Sequence, residues 1–98
     1  MTIEIKRNAA ETIIEVAGRL DTSTAPMLDK AINEDIEGTK DLILDLKGLD
    51  YISSAGLRVL LTAQKKMELI GSMKVKNVSA AVMKILEMTG FADILVIE

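Results

Sequence analysis

At 98 residues and a net charge of −3, the chain can bury one hydrophobic core but not two, so residues 1–98 are expected to form a single domain. Cysteine and histidine are absent, which excludes disulfides, the usual zinc ligand sets, thiol nucleophiles and imidazole bases. Hydrophobic residues make up 49% of the chain and aromatic residues only 2%, so the core must be aliphatic. That composition gives no stacking platform for single-stranded nucleic acid, and the scattered charges give no basic footprint for a duplex.

The N-terminus lacks a basic-then-apolar leader, and no apolar run is long enough to span a bilayer. A cytoplasmic protein with a protein partner, no nucleic-acid contact and no membrane insertion is the expectation. An acidic charge balance fits that setting.

Residues 2–7 alternate, with Ile3 and Ile5 between polar neighbours, and predict a half-buried strand. Asn8-Ala9-Ala10 reads as a turn. Residues 11–17 predict a second strand that stops at Gly18, and the short connection implies a hairpin. Leu20-Asp21-Thr22-Ser23-Thr24 is a loop rich in capping side chains. Pro26 then suits the first turn of a helix over about 25–36, with Gly38 as a stop signal.

Residues 41–46 are short and densely apolar, as a central strand is. A polar loop is expected next. A second helix should run from about Ser54 to Ile70 and end at Gly71. Residues 73–78 alternate as another strand. Ser79 can cap a third helix that closes at Gly90, and residues 94–97 read as a final short strand. The fold class is therefore α/β, a mixed sheet with element order β-β-α-β-α-β-α-β and helices mainly on one face. Strands joined through helices are expected to lie parallel.

The chemistry concentrates at Ser53 and Ser54. Taken by itself, a serine pair before an apolar helix is a capping arrangement. A phosphoryl group there would also meet free backbone N–H groups and the positive end of the helix dipole. Along the helix, Val59, Leu60, Ala63, Met67 and Ile70 form one apolar stripe. Leu57 and Leu61 form a second row. These leucines are either core or, for Leu57 at least, an exposed apolar patch beside the serines. Asp21 suits a turn or cap. Asp45, at the end of an apolar strand, reads as structural, a residue expected to fix the loop before Ser53 by hydrogen bonds. An enzyme is not expected. No histidine base is available to activate a hydroxyl, Lys65 and Lys66 lie far along the helix with nothing to place a Ser-Lys pair, and no phosphate-binding glycine fingerprint is present.

Two separated segments carry a resemblance. Leu42-Ile43-Leu44-Asp45-Leu46, followed by Ile52-Ser53-Ser54-Ala55-Gly56-Leu57, resembles the L-x-L-D-L and D-S-S/T-G-L-G segments of the anti-sigma factor antagonists of the STAS-domain family. Gly18-Arg19-Leu20-Asp21-Thr22-Ser23-Thr24-Ala25 is similar to the family's G-x-L-D-x-x-T-A loop. The stretch from Ala80 to Gly90, followed by Phe91, resembles its last helix. The resemblance spans essentially the whole chain.

It implies a phosphoprotein that acts by partner switching in transcription regulation. Ser54 takes the place of the phosphorylated serine, with Ser53 as second choice. Ala55 cannot accept a phosphate, and Ser53 stands where the family carries Asp. The implied docking surface is Asp21 with Leu20, Thr22, Ser23 and Thr24, together with Ile52, Ser53, Gly56, Leu57 and Arg58. The implied partners are an anti-sigma factor that is also a serine kinase and a PP2C-type phosphatase, with no cofactor bound to this chain. The alternative that STAS-like domains offer is a structural subunit of a lipid-transport ATPase complex.

Overall fold

The computed structural model describes residues 1–98. Strands β1 (Thr2–Asn8) and β2 (Glu11–Leu20) form the expected antiparallel hairpin, turned at Ala9. Helix α1 (Ala25–Asp35) leads to β3 (Asp41–Ile52), which pairs parallel to β2. Helix α2 (Ser54–Ile70) leads to β4 (Ser72–Lys76), parallel to β3, and α3 (Ala80–Thr89) follows. The sheet order is β1-β2-β3-β4.

Register and side-chain parity explain the single core. Ile14 pairs with Leu44, and Leu44 with Val75, while Leu42 pairs with Met73, so these side chains share one face. Onto that face pack Leu28 and Ile32 of α1, Leu60 and Met67 of α2, and Val82 and Leu86 of α3. The opposite face carries the row Glu15, Asp45 and Lys76, and Lys6 forms an ion pair with Glu15 at 2.6 Å. All three helices therefore cover one face, as the expected architecture requires.

Three features differ from the sequence expectation. Gly18 does not end β2. It adopts φ +99° inside the strand, where a Cβ would lie 3.2 Å from the Cα of Met1, and the strand continues to Leu20. The expected polar loop after Leu46 is instead strand. After a register shift between Glu15 and Ala17 the ladder resumes at Ala17 with Gly48, and it reaches Leu20 with Ile52 across a second shift between Gly18 and Arg19. Those irregularities hide the two-residue period, so Leu46, Leu49 and Ile52 are buried at spacings of three. The last predicted strand is reduced to one parallel bridge between Val75 and Ile97, because the turn that opens at Phe91 carries on into it: the amides of Ile94 and Leu95 both donate to the Phe91 carbonyl at 3.0 Å.

Other boundaries hold. Ser79 accepts a hydrogen bond from the Val82 amide at 3.2 Å, and Gly90 ends α3 at φ +83°. Asp45 is structural, accepting from the Lys47 amide at 3.0 Å and from Asn77 Nδ2 at 3.1 Å. It ties β3 to the turn after β4 rather than to the segment just before Ser53.

Leu44, fully buried at the centre of the sheet, should cost about 2–5 kcal/mol when replaced by alanine. Leu69 is 87% exposed, and its replacement should stay within about 0.5 kcal/mol. Urea denaturation of the two variants checks the contrast.

Candidate functional site

The β2–β3 pairing sets the position of the site. The ladder runs to Leu20 and Ile52, and the Ser53 amide then donates to the Leu20 carbonyl at 2.8 Å. The loop after β2 and the first turn of α2 are thereby held side by side at the carboxyl ends of parallel strands. Gly56 is what lets them meet. A Cβ at this position would lie 2.7 Å from Leu20 Cγ and 2.8 Å from Ile52 Cγ1.

The loop is internally braced. Asp21 Oδ1 accepts from Ser23 Oγ at 2.7 Å, from the Ser23 amide at 3.0 Å and from the Thr24 amide at 3.2 Å. Thr24 Oγ1 donates to the Arg19 carbonyl at 2.7 Å and accepts from the Asp21 amide at 2.9 Å. The Ser23 hydroxyl, followed by the backbone amides, holds the Asp21 carboxyl below its ordinary range against the opposing effect of desolvation. Thr22 and Ser23 remain exposed at the tip.

The two serines are distinct. Ser54 is exposed in the first turn of α2. Ser53 is the N-cap residue, but its Oγ is sealed from solvent, has no hydrogen-bond partner and does not cap the helix. The first helical bond at this end runs from the Leu57 amide to the Ser53 carbonyl at 2.9 Å. The amides of Ser54, Ala55 and Gly56 thus have no acceptor within the protein. Of the pair, only Ser54 is exposed.

The expected surface needs correction at its apolar members. Leu20 is 0%, Ile52 2% and Leu57 5% exposed, and all three belong to the central core. The inward stripe of α2 consists of Gly56, Leu57, Leu60, Ala63, Gln64 and Met67, so it is rotated from the stripe read by spacing, and Leu57 faces the sheet. The close approach at Gly56 forces this rotation. Leu20, Ile52, Gly56 and Leu57 shape the corner from beneath. Its outer surface is formed by Asp21, Thr22, Ser23, Thr24, Ser53, Ser54 and Arg58. Exposed apolar groups do flank it, but they are Met27 in the first turn of α1 and Tyr51 near the end of β3. The Arg19 guanidinium lies 4.2 Å from the centre of the Tyr51 ring.

Sequence reasoning missed a groove. Helices α1 and α2 leave an open cleft of about 450 Å³ that begins at Thr22, Ala55 and Arg58 and continues past Asp29, Thr62 and Lys66. Its signal was the polar stripe Arg58, Thr62 and Lys66 at steps of four, which is indistinguishable in sequence from a solvated helix face.

The arrangement is thus a small α/β domain with an exposed serine opening a helix, beside a braced acidic loop and a groove. The chain belongs to the STAS domain family, whose profile matches residues 2–98. It is 30% identical over 96 residues to the anti-sigma-B factor antagonist of Bacillus subtilis, covering 97% of this chain and 88% of that one. An anti-sigma factor antagonist from Mycobacterium paratuberculosis superposes with a TM-score of 0.89 at 23% identity, over 98% of this chain and 83% of the other. SpoIIAA of Bacillus shares the fold in its unphosphorylated form (TM-score 0.84, 18% identity, 99% and 88% covered). Its phosphorylated form does too (TM-score 0.77, 17% identity, 99% and 91% covered).

Replacing Gly56 by alanine should destabilise the protein. Overpacking against Leu20 and Ile52 costs about 1–3 kcal/mol, and the gain in helix propensity returns about 1 kcal/mol at most. A thermal or urea unfolding series reads the sign. Asp21 gives a pH signature. Its lowered folded pKa contributes stability that is fully present above the unfolded value of about 3.9 and is lost as pH falls through the folded value. The melting temperatures of wild type and Asp21→Asn should therefore converge as pH is lowered from 5 towards about 2.

Proposed function

We infer that this protein is an anti-sigma factor antagonist whose binding is switched by phosphorylation of Ser54. In its unphosphorylated form it binds an anti-sigma factor that is also a serine kinase, and this releases a sigma factor. The kinase transfers the γ-phosphoryl group of ATP to Ser54 Oγ, with ADP leaving and the hydroxyl proton passing to the kinase. A PP2C-type phosphatase removes the phosphate and restores binding. The protein is substrate and ligand in this cycle, not catalyst. The setting is cytoplasmic, and no helix of the chain is long and apolar enough to cross a membrane.

The observation that carries this reading is the exposed Ser54 at the start of α2, with three unbonded amides around it, in a chain related along its length to anti-sigma factor antagonists. A phosphate brings about −1.5 to −2 charges, which a helix N-terminus accommodates. Phosphorylation therefore leaves the domain folded, and binding is lost at the surface. A dianion beside the ionised Asp21 loop repels partner carboxylates and must be desolvated for a partner to close over it. Asp21, Thr22, Ser23, Thr24 and Arg58 are the contact residues in this reading. Leu20, Ile52, Gly56 and Leu57 support them from the core.

Incubation with candidate serine kinases and ATP, followed by intact-mass measurement and site mapping, tests it. One phosphate at Ser54 is expected, lost in Ser54→Ala and retained in Ser53→Ala. No phosphate, together with stable binding to a lipid-transport ATPase subunit, would replace the switch with a structural role.

A further inference from the structure

Arg58 is the cation nearest in sequence to Ser54 on the same helix. It is exposed and lies four residues after Ser54 on α2. It takes part in none of the molecule's ion pairs, which join Lys6 to Glu15, Arg19 to Asp21, Lys30 to Glu34, and Lys74 and Lys76 to Glu98. Side chains four apart on a helix are neighbours, and an acidic group N-terminal to a basic one is the favoured order. Arg58 also lines the mouth of the α1–α2 groove, whose other charged groups are Asp29 and Lys66.

Resting on the reading of Ser54 as the modified residue, we propose that phospho-Ser54 captures Arg58 in an intrahelical ion pair, so that phosphorylation withdraws a cation from the groove as well as adding charge at its mouth. The guanidinium fork matches two phosphate oxygens. The free amides of Ser54, Ala55 and Gly56 face the same group from the helix terminus. Asp29 is the one competitor in the groove. It bears a single charge on another helix and makes no salt bridge to Arg58 even before phosphorylation. After capture the only cation left in the groove is Lys66, which already donates to Asn33 Oδ1. A partner that places an acceptor against Arg58 loses it at the same moment that it meets the phosphate.

The test uses the full chain with phosphoserine placed at position 54 by genetic encoding or total synthesis, so that no kinase is needed. Phosphorus NMR follows the second ionisation of the phosphate in wild type, Arg58→Gln, Arg58→Lys and Lys66→Gln. All three substitutions are at exposed positions. Capture predicts that Arg58→Gln raises the midpoint by about 0.3 of a pH unit or more, that Arg58→Lys restores part of the difference, and that Lys66→Gln stays at the wild-type value. The difference should shrink at high salt. Equal midpoints in wild type and Arg58→Gln, or an equal rise in Lys66→Gln, overturn the pair. Either result leaves Ser54 intact as a kinase target. Failure of every kinase to label Ser54 would remove the switch without touching this measurement.

Discussion

The site depends on the parallel pairing of β2 with β3 being carried to its last residues. Two irregularities in the ladder let the strands stay in contact as far as Leu20 and Ile52, and the Ser53 amide extends the pairing by one more bond to the Leu20 carbonyl. Without that register the acidic loop at residues 21–24 and the serine corner at 53–54 would be two unrelated turns. With it they form one continuous surface at the carboxyl ends of the strands. Gly56 completes the constraint, because α2 can start directly above Leu20 and Ile52 only where no Cβ intervenes.

The same geometry separates the two serines by physics rather than by sequence. Ser53 turns its hydroxyl inward, where it finds no partner, and leaves the first amides of α2 unsatisfied. Ser79 at the start of α3 does the opposite and bonds the Val82 amide. The orphan donors of α2 sit beneath an exposed Ser54, so a negative group added there is stabilised by the helix while it is presented to a partner. A switch of this kind needs no refolding. It changes the charge and desolvation cost of a surface whose scaffold of Leu20, Ile52, Gly56 and Leu57 stays buried.

Much of this was legible in the sequence. The element order, the hairpin, the ends of α2 at Gly71 and of α3 at Gly90, and the Ser79 cap follow from periodicity and capping chemistry alone. The extension of β2 through Gly18 and of β3 through residues 47–52 did not, because bulged strands lose the two-residue alternation that marks them. The terminal strand was overread: four apolar residues at 94–97 secure only one bridge. At the site, Thr22, Ser23, Ser54 and Arg58 are exposed and Asp21 is half-buried. Leu57 did not remain at the surface, since its side is decided by the close approach at Gly56, a tertiary contact with no local signal. The α1–α2 groove escaped notice for a related reason. Its lining is polar, and a polar helix face reads as solvated until a second helix is laid beside it.

Backbone amide shift mapping tests the central claim most directly. Isotope-labelled protein is titrated with its cognate anti-sigma factor, before and after phosphorylation. The account predicts that in the unphosphorylated protein the perturbed amides cluster at 21–24, 54–58 and along the α1–α2 groove, and that the phosphorylated protein gives the spectrum of a folded domain with those perturbations lost. Perturbations centred on the open sheet face around Glu15, Asp45 and Lys76, or unchanged by the phosphate, would contradict it.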